Sequence, residues 1–274
     1  MGVNISAKDV NELRQKTGSG MMDCKKALVE AEGDFQKAID ILRKKGQKVS
    51  EARSNRETSE GIVLFKLNSD ETKASILSFT CETDFVAKND EFNSLAQNIL
   101  DIAFDNNLES IESVLVSEID GSSIEQLIIE MVGKIGEKIK ISDFKVMDGE
   151  KIVPYIHAGS KLGVLVSLNN TGNTDYVTAG KDIATMNPIA LDKDQVDQSV
   201  IEKEIEIGKE QAIKEGKPEQ IIEKIAQGKL QKFFKENTLL SQSFVKDNNL
   251  SIKDYLETFS KELSIGGFIR VSIG

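Results

Sequence analysis

The chain has 274 residues, of which 39% are hydrophobic, 29% charged and 5% aromatic, a balance that excludes a disordered polypeptide. Three prolines and 20 glycines exclude collagen-like and proline-rich repeats, and the length accommodates two domains or one with an appendage. A net charge of −10 argues against a general binder of nucleic acid or anionic membranes. The charge is uneven: residues 1–56 carry 12 Lys and Arg against 8 Asp and Glu, whereas the rest carry 23 against 37, which suggests a separate N-terminal module.

Residues 5–47 read as three short helices. Val10 and Leu13 mark the first, and the glycines of the run 17–20 break it. Met21, Met22, Cys24, Ala27, Leu28 and Ala31 give the second an apolar stripe that stops at Gly33. Asp34 caps a third with Phe35, Ala38, Ile39, Ile41 and Leu42. The polar stretch 47–60 reads as a linker or an exposed helix.

Strand patterns follow. Segments 61–67 and 73–81 flank the turn-like run 68–71, a hairpin signal. Asn89 or Asp90 caps a helix with Phe92, Leu95, Ala96, Ile99 and Ala103 on one face. Another helix, carrying Ile124, Ile128, Val132 and Ile135, starts after residues 121–123, and a strand at 138–147 closes a first α+β unit. The order then recurs, with strands 152–157 and 162–168 and a helix through Ile183 and Met186. Residues 196–236 are charged and helical around Gly216 and Pro218, and read as an antiparallel hairpin. Ile201, Ile205, Ala212 and Ile213 are expected to face Ile221, Ile222, Ile225 and Leu230 across it. A helix at 251–263 and a strand at 267–273 finish the chain.

Few residues suggest chemistry. Cys24 and Cys81 are too few for a disulfide framework or a four-thiolate zinc site, and His157 is the one histidine, so neither metal nor cofactor is expected. Cys81 with His157 as its base is the enzyme reading, but nothing local marks an activated thiol, and Cys81 also fits as a small buried residue at a strand end. Gly18 and Gly20 follow a helix rather than a strand, which excludes a dinucleotide fingerprint. No apolar run approaches the roughly 20 residues of a membrane span. The first ten residues lack a secretory pattern, so a cytoplasmic location is expected.

Two features resist a folding explanation. Thr83, Asp84, Phe85 and Val86 place a large aromatic beside an acid in a connection, either tucked into the core or offered to a partner as an anchor. Met21 and Met22 are adjacent, about 100° apart on a helix, so one can face the core while its neighbour cannot easily do so too.

The runs 10–28 (VNELRQKTGSGMMDCKKAL) and 81–92 (CETDFVAKNDEF) closely resemble the two signatures of the bacterial translation elongation factor Ts family. Blocks at 157–166, 186–191, 216–218, 242–247 and 267–270 are similar to later family blocks, in the same order, so the resemblance covers essentially the whole chain. It implies an α+β fold: a ubiquitin-associated-like three-helix domain with linker at 1–55, a core N-subdomain at 56–148, and a core C-subdomain at 149–193 and 237–274. Each subdomain is expected to pack a small antiparallel sheet on helices, and an inserted coiled-coil helical hairpin is expected at 194–236.

The resemblance also implies a function: guanine-nucleotide exchange on elongation factor Tu, without covalent chemistry and without direct contact to nucleic acid or membrane. Arg14, Met21 and Met22 match family positions on the partner's nucleotide-binding domain. Thr83, Asp84, Phe85 and Val86 match the segment that intrudes beside the partner's GDP and magnesium. His157 matches an interface position, with a structural role as the alternative. The hairpin resembles an insertion that serves dimerisation in some members. Ser19 and Ser243 depart from the usual family Ala and Pro, and the sequence ends at Gly274, so the contact of the further C-terminal helix found in some members is in doubt. A non-catalytic adaptor built on the same N-terminal domain is the competing reading from the residues alone.

Overall fold

A computed structural model describes residues 5–274; the first four residues of the expected N-terminal unit lie outside the described residues. Ser6 opens helix α1 (Ala7–Thr17) through a capping box with Asp9. Gly18 ends it at φ 64°, a left-handed conformation that a Cβ would strain. Helices α2 (Met21–Glu30) and α3 (Phe35–Ala52) complete a bundle whose small core is Val10, Leu13, Cys24, Ala27, Leu28, Ala31 and Ala38. Helix α3 runs further than its apolar pattern suggests. Its last turns are held by tertiary contact, with Val49 packed against the next core.

Strands β1 (Glu60–Leu67) and β2 (Lys73–Cys81) form the expected hairpin. A one-turn helix α4 (Asp84–Ala87) leads into α5 (Asp90–Asp105), which Asn89 caps with its side chain. Helix α6 (Ile111–Val116), a two-residue ribbon of β3 (Glu118–Ile119) and β4 (Ser122–Ser123), and α7 (Ile124–Ile135) precede β5 (Ile139–Asp148). The sheet order is β1-β2-β5, all antiparallel.

The second unit repeats that plan. Strands β6 (Lys151–Ile156) and β7 (Leu162–Asn169) form a hairpin, and α8 (Tyr176–Ile183) follows. The long helices α9 (Gln198–Lys214) and α10 (Glu219–Asn237) come next. A ribbon of β8 (Ser243–Phe244) and β9 (Asp247–Ser251), then α11 (Ile252–Glu257), lead to β10 (Ser264–Ser272). The sheet order is β6-β7-β10, so in both units the third strand pairs with the second strand of the hairpin.

The two sheets lie face to face. Val63, Ala74, Ile76 and Met147 of one meet Ile152, Leu165 and Val271 of the other, while each outer face is covered by its own helices. Central strands β2 and β7 are thus buried on both sides, and their sequences read as apolar runs rather than strict alternation. Gly163 permits the close approach: a Cβ there would fall 2.5 Å from Val63 Cγ1 and 2.8 Å from Ile76 Cδ1.

Helix α3 lies against α7 where Gly46 meets Gly133; a Cβ on Gly133 would sit 2.7 Å from the Gly46 Cα. The α9/α10 pair also closes on small residues. Gly208, Ala212, Ala226 and Leu230 are buried between the two helices, so Ala212 and Leu230 lie on the expected packing face, whereas Ile213, 60% exposed, and Ile221, 41% exposed, do not. Its two ends stay together because Ala190 and Thr238 bridge and Leu239 N–H donates to the Ala190 carbonyl at 2.9 Å. The expected helix at 251–263 stops at Glu257. Thr258 turns its hydroxyl back onto the Tyr255 carbonyl and Ser260 accepts from the Glu262 N–H, both competing with helical bonds.

Candidate functional site

The segment between β2 and α5 is held from several sides. Val86 is buried in the first core and Asn89 accepts from the N–H groups of Glu91 and Phe92 at 2.8 and 3.2 Å. Phe92 in turn stacks on Phe79 of β2 at 4.6 Å between ring centroids. Upstream, the Glu137 carboxylate accepts two bonds from Thr83, one from its N–H at 3.0 Å and one from its hydroxyl at 2.7 Å. The Cys81 thiol donates to the Thr83 carbonyl at 3.2 Å. Between these fixed points stands Phe85, 83% exposed.

An aromatic ring left in water on an anchored turn gives up roughly 1.5–3 kcal/mol of burial. Neighbouring Asp84 pairs with Lys88 at 2.7 Å on the surface, and that hydrogen bond holds its carboxyl below the usual range. The turn therefore presents an apolar tip beside a carboxylate that stays ionised.

The catalytic reading of Cys81 does not fit its surroundings. The residue is fully buried; burial first, and then the nearby Glu137 charge, push the thiol up to about 12, so it is protonated at neutral pH. His157 is exposed after β6, and its Nδ1 lies 2.8 Å from the Tyr155 hydroxyl. Among the described residues no group of three or more His, Cys, Asp or Glu is arranged to hold a metal ion, and no helix is long and apolar enough to cross a membrane.

The second surface lies on the N-terminal bundle. Arg14 is exposed on α1, and Met21 and Met22 at the start of α2 are 56% and 63% exposed. Neither methionine faces inward: Cys24, Ala27 and Leu28 fill that core, and both methionines precede it. This surface is connected to the Phe85 side of the molecule. The Gly18 turn abuts Lys134 of α7, with a Cβ on Gly18 falling 2.6 Å from its Nζ, and Lys134 pairs with Glu91 in the first turn of α5.

Sequence reasoning missed the residues that hold the turn. Glu137 is 54 positions from Thr83, and Lys138 is 56 from Glu82, to which its N–H donates at 2.6 Å. No local periodicity relates such pairs. The one nearby signal is Gly136, which at φ 81° ends α7 and turns the chain toward the end of β2.

Comparison with known proteins identifies this arrangement's relatives. The family profile described as Elongation factor TS matches residues 82–274. Elongation factor Ts of Amoebophilus asiaticus is 53% identical over 274 aligned residues, covering 98% of this chain and 99% of the relative. Elongation factor Ts of Cytophaga hutchinsonii is 51% identical and that of Christiangramia forsetii 49%, each with the same coverage. Identity at this level along nearly the full length of both chains places the protein in the elongation factor Ts family.

Proposed function

We propose that the protein is a guanine-nucleotide exchange factor for elongation factor Tu that performs no covalent chemistry of its own. The observation that carries the reading is Phe85, a ring exposed on a turn whose flanking residues are fixed, within a chain of this family. In the proposed division of labour, residues 1–55 are a ubiquitin-associated-like docking domain, with Arg14, Met21 and Met22 on the partner's nucleotide-binding domain. The N-subdomain at 56–148 carries Thr83, Asp84, Phe85 and Val86, the C-subdomain comprises 149–193 and 237–274, and the coiled-coil hairpin at 194–236 offers a surface for a homodimer. His157 is a further contact.

The mechanism follows from what an exchange factor must do. A GTPase holds GDP through its phosphate loop and a magnesium ion, so release is slow until that network is disturbed. A protein shifts this equilibrium only by its differential affinity for the nucleotide-free state. Phe85 seats in an apolar gap between partner elements while Asp84, kept charged beside Lys88, disturbs the groups that orient the magnesium. By reciprocity GDP weakens the protein's binding as much as the protein weakens GDP's, and incoming GTP, coupled in the same sense, expels it and completes the cycle. The setting is the cytoplasm, during translation elongation.

The test is release of a fluorescent GDP analogue from elongation factor Tu at increasing concentrations of this protein. Acceleration that saturates with concentration is expected. Binding without any change in release rate would replace the exchange reading with an adaptor.

A further inference from the structure

Glu82 and Lys138 carry charges that the Phe85 turn does not use, at the junction of the bundle, β2 and β5. The Glu82 side chain is 15% exposed. Its Oε1 accepts the Lys138 N–H at 2.6 Å and the Arg53 guanidinium at 3.1 Å, and its Oε2 accepts from Arg56 at 2.8 Å. The Lys138 ammonium reaches the other way, donating to the carbonyls of Ser54 at 2.5 Å and Arg56 at 2.8 Å. The segment leaving α3 is thus tied to Glu82, which immediately precedes Thr83, and to Lys138, which immediately follows the Glu137 that clamps Thr83.

Lone surface ion pairs contribute little to stability, but a carboxylate shared by two guanidiniums and a backbone N–H is a coupled network, in which loss of one member strands the others. Further back along α3 the contacts with the core are of another kind: Gly46 lies against Gly133 of α7, Val49 packs on the first core, and Arg43 Nε donates to Glu130 Oε1 at 2.9 Å. They seat the helix on α7, and the latch ties down its exit beside the Phe85 turn.

We propose that Glu82 is a positioning residue: its latch to Arg53, Arg56 and Lys138 holds the bundle surface of Arg14, Met21 and Met22 at a fixed orientation to Phe85, so that one partner meets both at once. This rests on the reading of the two surfaces given above. Two contacts on a preorganised body act together because the second is made at high effective concentration once the first has formed. Loosening the latch lowers that concentration without removing either contact.

The test compares the full-length wild type with Glu82→Ala and, in case that variant fails to fold, with Arg53→Ala/Arg56→Ala, which opens the latch from its more exposed side. Amide hydrogen exchange of the free protein reports the latch without any partner, and faster exchange across residues 53–58 is expected in both variants. In GDP release from elongation factor Tu, the concentration for half-maximal acceleration is expected to rise about three- to tenfold while the saturating rate is kept. Met22→Ala is expected to cost less in the latch-open background than in wild type, the sign of coupled sites. Unchanged hydrogen exchange, an unchanged half-maximal concentration, or strictly additive effects would each overturn the latch. Failure of the wild type to accelerate release would instead remove the exchange reading, with hydrogen exchange still deciding whether the latch exists.

Discussion

The two units of the core each place an aromatic residue close after the second hairpin strand, Phe85 on the turn between β2 and α5 and Tyr176 at the first residue of α8, and treat it in opposite ways. After β7 the ring of Tyr176 is half-buried against the second core, and its hydroxyl donates to Glu71 Oε2 at 2.5 Å, across to the first unit. After β2 the ring of Phe85 is left in water while the residues on either side of it are clamped by Glu137 and buried in the core. Topology therefore does not require an exposed aromatic at this position. The second unit shows the folded solution, and the first departs from it with a ring that has no hydroxyl to satisfy and a backbone that is held out. The comparison separates a residue that the fold uses from one that it leaves in solvent.

Substitutions can break that comparison. The largest effect on folding is expected from Gly163→Ala, because the new methyl meets Val63 and Ile76 where the two sheets touch. Overpacking of this kind costs about 2 kcal/mol, read from urea denaturation, and loosens both units together. Tyr176→Phe is next, at about 1 kcal/mol for one lost hydrogen bond to a carboxylate, and leaves nucleotide exchange at the wild-type rate. A matching loss of exchange would mean that the second connection also reaches the partner.

A smaller effect comes from pH. Glu71 is held below the ordinary glutamate range first by the Tyr176 hydroxyl and then by Lys151. Burial pushes Glu82 upward, but the Lys138 N–H, Arg56 and Arg53 together bring it below that range. With folded values depressed, the unfolded chain binds more protons as the solution is acidified. Their stabilisation is complete above the unfolded value of about 4.3 and is lost as pH falls through the folded values. Urea midpoints are expected to drop between about pH 5 and 3, and less steeply in Glu82→Gln and Tyr176→Phe than in wild type. Equal slopes in all three would place the acid sensitivity elsewhere. The smallest effect is expected at Cys81: its protonated, buried thiol resists alkylation of the native protein at neutral pH, and Cys81→Ala leaves exchange unchanged.

What the sequence disclosed follows from the range of the interactions concerned. The apolar stripes of α2, α5 and α7, the Asn89 cap and the hairpin turn at 68–71 are local patterns, and they are legible in the residues. The extent of α3 was not, since its last turns depend on α7 and on the first core, and neither was the early end of α11, where hydroxyl groups outcompete a helical periodicity. The contact of α9 with α10 is legible in Ala212 and Leu230 but not in Gly208 and Ala226, whose small size allows the approach and which carry no apolar periodicity. At the candidate site the residues leave two places open for Phe85, the core or the solvent, and the fold puts it in solvent. The carboxylates that hold it there were not, because Glu137 and Glu82 act on residues that only the antiparallel pairing of β2 with β5 brings near.

The central claim, that the exposed ring is an anchor for elongation factor Tu, is tested most directly by stopped-flow release of a fluorescent GDP analogue with wild type and Phe85→Ala in parallel. Removing an exposed side chain leaves folding stability within about 0.5 kcal/mol. A loss of exchange of about ten- to a hundredfold is predicted, the range for a residue that fills a partner's pocket. Release as fast with Phe85→Ala as with wild type would contradict the account.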